Sequence, residues 1–96
     1  MKKLQLQVSL PVMVLKEGKR FVAYTPALDI STSGKTLQQA QKRFAELAML
    51  FLEELVEMGT VNQVLSGLGW QKLNQQWTPP VVVSNDMQDI KIAVAT

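Results

Sequence analysis

The segment bracketed by Thr36 and Gly59 constrains this chain more than any other. Thr36 followed three residues later by Gln39 is a capping-box pattern, and Gly59 supplies a C-terminal stop. Between them Leu37, Ala40, Phe44, Leu47, Ala48, Phe51, Leu55 and Met58 recur at helical spacing and form one apolar stripe. Gln39, Lys42, Glu46, Glu53 and Glu57 lie opposite. The chain has only 96 residues, one domain's worth. The remainder must therefore supply the surface that covers this stripe. With 47% hydrophobic and 19% charged residues, the composition is that of a globular chain rather than a disordered one.

That surface is a sheet. Residues 4–15 alternate, with Leu4, Leu6, Val8, Leu10, Val12 and Val14 on one face. The other face carries Gln5, Gln7, Ser9, Pro11, Met13 and Leu15; it turns apolar after Pro11, so cover is expected there. Pro11 cannot donate to a ladder, which makes this an edge or bulged strand. Lys16-Glu17-Gly18-Lys19 reads as a hairpin turn, Arg20 to Tyr24 as the return strand, and Pro26 as its end. Leu28 to Thr32 reads as a third strand and Ser33-Gly34-Lys35 as a turn. One of two sets, Phe21 with Ala23 or Val22 with Tyr24, must pack under Phe44, Leu47 and Phe51.

Beyond the helix, Thr60-Val61-Asn62-Gln63 repeats the capping-box pattern and opens a short second helix to about Leu65, ended by Gly67 and Gly69. Trp70 to Leu73 and Gln76-Trp77 read as short strands around Asn74-Gln75. After Pro79-Pro80 come Val81-Val82-Val83 and an alternating piece, Ile90-Lys91-Ile92-Ala93-Val94, which reads as a C-terminal strand. The expected class is α+β, with a helix packed on a mainly antiparallel sheet. Residues 1–78 form the core domain; residues 79–96 are a Pro-Pro linker and strand.

The chemistry is narrow. There is no cysteine and no histidine, which removes thiolate chemistry, the commonest general base and the usual zinc ligand. The serines have no imidazole to activate them, and Ser33-Gly34-Lys35-Thr36 reads as a turn and helix cap rather than a Ser-Lys pair. Gly67-Leu68-Gly69 lacks the third glycine of a dinucleotide loop. Gly34-Lys35-Thr36 lacks the first glycine of a phosphate loop, Asp29 standing in its place. Glu53 and Glu57 read as a solvated helix face rather than a cation site. Trp70 and Trp77, with Lys72 nearby, read as core or interface residues rather than base-stacking platforms. No catalytic residue, cofactor or metal site is expected.

The net charge of +2 does not by itself imply nucleic-acid binding. Met1-Lys2-Lys3 leads into alternating residues rather than a continuous apolar run, and no run reaches the length of a membrane span. A cytoplasmic location is expected.

From residue 10 onward the pattern becomes recognisable. It runs Leu10-Pro11-Val12, Phe21-Val22-Ala23-Tyr24-Thr25-Pro26-Ala27-Leu28, Ser33-Gly34-Lys35-Thr36 and a helix with Ala40. In this order and spacing it resembles the HicB antitoxin family over about half the chain, and more loosely through Gly59, Leu68-Gly69-Trp70 and Pro79-Pro80. The resemblance implies a truncated ribonuclease-H-like core, β-β-β-α-β. It also implies a non-catalytic antitoxin of a type II toxin-antitoxin system, occluding a HicA-like toxin that cleaves mRNA. Three departures stand out: Asp29-Ile30-Ser31 replaces the family's Pro-Gly-Cys, the charge does not complement a basic toxin, and residues 81–96 are too short for an appended helix-turn-helix. Metal-dependent nuclease activity, known for ribonuclease-H-like folds, is not expected, because residues 4–15 hold no carboxylate.

Two other readings stay open. One is a nucleic-acid-binding regulatory module using Lys16, Lys19, Arg20, Lys42 and Arg43. The other is a self-associating orphan domain without a toxin. A homo-oligomer, most simply a twofold dimer, is expected in any case, because apolar surface is in surplus. It lies on the helix flank of Ala45, Met49, Leu52 and Val56 with Leu50 beside it, and in the tail at Val81 to Val83, Ile90, Ile92 and Val94.

Overall fold

The computed structural model describes residues 8–95. Seven elements follow in order: β1 (Met13–Glu17), β2 (Arg20–Thr25), β3 (Ile30–Gly34), α1 (Leu37–Met58), α2 (Val61–Gly67), β4 (Gln71–Leu73) and β5 (Gln76–Thr78). The class is α+β. β1, β2 and β3 form one antiparallel sheet in that spatial order, and β4 and β5 form a separate hairpin.

Register decides which face is buried. Val14 pairs with Ala23 and Ala23 with Thr32; Lys16 pairs with Phe21 and Phe21 with Gly34. Paired residues share a face. Ala23 and Thr25 are fully buried, and Phe21 packs against the cluster that holds Ala40, Phe44, Ala48 and Leu55 of α1. Phe21 and Ala23 are thus the set under the helix. Val22 and Tyr24 share the opposite face with Met13 and Leu15.

The first hairpin is tighter than the sequence suggests. Lys16 and Glu17 belong to β1, and only Gly18 and Lys19 turn. Gly18 has φ 59 at the first central position, as a type II′ turn requires. The strand expected over residues 4–15 begins only at Met13. Residues 8–12 have no regular structure, and residues 1–7 lie outside the described residues. Pro11 has no N–H for a ladder and restricts the residue before it, so pairing starts beyond it. Val8, Leu10 and Val14 still pack on the core.

The long helix forms as its caps dictate. The Thr36 side chain accepts from the Gln39 N–H at 3.0 Å, and the Gln39 side chain accepts from the Lys35 N–H at 2.7 Å. At the other end Gly59 is left-handed, with φ 68; its N–H donates to the Val56 carbonyl, and the Thr60 N–H donates to that of Leu55. Together these bonds make a Schellman motif. The apolar stripe is buried in its middle but not at its ends, where Leu37 and Met58 are exposed.

Gly34 is not the turn residue it reads as. It lies in β3, and a Cβ there would stand 2.6 Å from the Ala40 backbone nitrogen. Only glycine lets the sheet approach the first turn of α1 this closely. Gly34→Ala is expected to destabilise the fold by about 1–3 kcal/mol through overpacking. Urea unfolding measures this, and a midpoint unchanged from the parent contradicts the close approach.

Four further expectations are corrected. The third strand is Ile30–Gly34, two residues later than Leu28 to Thr32. Thr25 to Asp29 instead form a turn closed by the Asp29 N–H on the Thr25 carbonyl, which buries Ala27 and Leu28. Thr60 makes no side-chain cap to α2, which runs to Gly67 rather than ending near Leu65, because the Schellman turn already sets the chain's direction. Trp70 precedes β4, and Thr78 extends β5; Asn74 and Gln75, both at positive φ, connect the two strands as a type I′ turn does. Finally, the piece from Ile90 to Val94 is not a strand. No sheet of the described residues reaches it, and residues 81–95 are exposed throughout.

Candidate interaction surface

The sheet covers α1 with one face and leaves the other open. On the open face Met13 is 40% and Leu15 51% exposed, with Val22 and Tyr24 half-buried beside them. The apolar far end of the first strand therefore has no cover among the described residues, contrary to expectation.

Polar groups rim this face. The Arg20 guanidinium donates to the Ser33 hydroxyl from Nη2 at 3.2 Å, and Arg43 Nη1 donates to the Ser33 carbonyl at 3.0 Å. These bonds tie β2, β3 and α1 together at one end. At the other end the Tyr24 hydroxyl donates to Asp29 Oδ1 at 3.1 Å, and Asp29 is held in the left-handed region with φ 54. The hydrogen bond to Asp29 raises the Tyr24 hydroxyl above its ordinary range, with smaller contributions from desolvation and from the carboxylate's charge.

Because the folded value is raised, this contact stabilises the fold fully at neutral pH, and its contribution is lost as pH rises through the tyrosine range. Tyr24 is the only tyrosine, so phenolate absorbance reads it directly. The titration midpoint is expected above the ordinary value of about 10. Asp29→Gly, which keeps the positive φ but deletes the acceptor, returns it toward that value. An unchanged midpoint in the variant removes Asp29 as the cause.

Beside the open face lies an open cleft of about 570 Å³. It is lined by Pro11, Val12 and Met13 at the start of β1, by Pro26 and Ala27, and by Pro80 to Val82, Ser84 and Asn85 at the root of the tail. Its floor is fixed from beneath. Trp70, 3% exposed, donates from Nε1 to the Ala27 carbonyl at 2.7 Å.

The expected interface residues are placed unevenly. Met49, Leu50 and Val56 are exposed on α1, whereas Leu52 is half-buried and packs on the core. Ile90, Ile92 and Val94 are exposed in the tail, apart from the core cluster. Trp70 is a core residue; Trp77 is half-buried, with Lys72 Nζ 5.8 Å from its ring centre. Of the five basic residues, Arg20 and Arg43 bond to Ser33, and Lys16 Nζ lies 5.9 Å from the Phe21 ring centre. Among the described residues no group of three or more acidic side chains is placed to hold a metal ion. No helix among them is long and apolar enough to cross a membrane.

Sequence reasoning missed the convergence of Arg20 and Arg43 on Ser33. No local motif announces it, because it joins residues 10 and 13 positions apart.

Comparison with protein-family models, with curated proteins and with solved structures gives no match.

Proposed function

We propose that this chain is a non-catalytic binding protein of the HicB antitoxin type, built on a truncated ribonuclease-H-like core. It acts in the cytoplasm by occluding the active site of a HicA-like, mRNA-cleaving toxin with a preformed surface. The observation that carries this reading is the open sheet face, with Met13 40% and Leu15 51% exposed on a sheet whose other face packs on α1. An ordered apolar surface of this kind binds with little ordering cost. The order β1-β2-β3-α1 agrees with the start of the implied β-β-β-α-β core. The fourth strand has its counterpart only in the separate β4–β5 hairpin.

The nucleic-acid reading has less support, since Arg20 and Arg43 are engaged with Ser33 within the chain. The test is RNA cleavage by a HicA-like toxin encoded beside this chain, titrated with the purified protein. Stoichiometric inhibition together with a stable complex supports the reading. Undiminished cleavage at tenfold excess, or RNA binding by the chain alone with a steep salt dependence, refutes it.

A further inference from the structure

The tail has the pattern of a strand and no partner among the described residues. Ile90, Ile92 and Val94 are 75%, 77% and 71% exposed, although they alternate with a period of two and are β-branched. The radius of gyration is 16.8 Å and the longest extent 64 Å, whereas a compact chain of this length has a radius of about 12 Å. The tail projects from the domain. The sheet, for its part, has an open edge with apolar residues: among the described residues β1 pairs on one side only, with β2.

We infer that residues 88–92 of one copy add as an antiparallel strand to the open edge of β1 in a second copy, and that the exchange is reciprocal about a twofold axis. One register satisfies both hydrophobicity and charge. With Ile90 opposite Leu15 and Ile92 opposite Met13, the apolar side chains extend the apolar face. The same register sets Asp89 against Lys16. A slip of two residues one way sets Lys91 against Lys16; a slip the other way sets Asp86 against Glu17. Both put like charges face to face. The opposite edge, β3, presents Ser31 and Ser33 on that face and offers no apolar match.

The placement of the tail's root favours exchange. Pro80 to Val82 and the start of β1 line one cleft, so the tail leaves the domain at the end of the sheet where β1 begins. The eight steps from Val82 to Ile90 reach roughly 26 Å when extended, enough to cross to a neighbouring β1. Strand addition to a free edge supplies main-chain hydrogen bonds, and twofold closure occupies both edges.

This inference does not rest on the antitoxin reading, and its test uses no toxin. The chain has no cysteine, so the double variant L15C/I90C reports the pairing cleanly. Cross-strand partners lie within disulfide range. Mild oxidation is expected to yield a covalent species of twice the chain mass. A thiol-free product at single-chain mass, or free thiols that persist, overturns the inference. Sedimentation equilibrium of the unmodified chain is expected to give a dimer at micromolar concentration; a species of 10.7 kDa overturns it. Lys16→Glu and Asp89→Lys should each weaken the dimer about fivefold, and together restore it. If the pair does not restore it, the register is wrong.

Discussion

Trp70→Ala is expected to destabilise this domain by about 3–5 kcal/mol. For a domain of this size that is much of a total of roughly 5–15 kcal/mol. Two losses combine. The side chain is 3% exposed and sits in the core cluster, so truncation leaves a cavity that its neighbours cannot fill. Its Nε1 is also the donor to the Ala27 carbonyl, in the turn that buries Ala27 and Leu28. Trp70→Phe separates the terms: it keeps most of the packing and leaves that carbonyl short of a donor, which costs about 1–3 kcal/mol. Urea unfolding of the two variants measures both. A Trp70→Ala midpoint equal to the parent's means that the indole does not join α2 to the sheet.

What was legible in the sequence was what is local. Thr36, Gln39 and Gly59 act within one turn of the helix ends they define, and Gly18 acts within its own hairpin. The faces of β2 were not legible, because Phe21 and Val22 are equally apolar and only pairing and packing choose between them. The third strand moved by two residues because a turn bond, from Asp29 to the Thr25 carbonyl, competes with extension after Pro26. The role of Trp70 depends on a carbonyl 43 positions away. The tail shows the limit of periodicity: alternation states what a strand could bury, not whether a neighbour exists to bury it. The open sheet face was half legible. The apolar switch at Met13 and Leu15 stood in the sequence, but an apolar face reads as covered unless the structure shows it bare.

The helix stripe allows a graded test of the core. Phe44→Ala is expected to cost about 3–5 kcal/mol, since Phe44 is buried among Ala40, Ala48 and the sheet residue Ala23. Phe51→Ala should cost roughly half as much, because Phe51 is only half-buried and packs at the margin of the cluster, so less apolar surface is lost from cover. The two residues lie two turns apart on one face and share the cluster, so their effects are coupled rather than independent. The double variant should therefore depart from the sum by about 0.5 kcal/mol or more. Chemical unfolding of the three variants reads the order directly. If Phe51→Ala proves the more damaging, the centre of the core lies toward the C-terminal half of α1, over α2 rather than over the sheet. The grading follows from the register in which Phe21, Ala23 and Thr25 face the helix, and that register is what the reversed order would overturn.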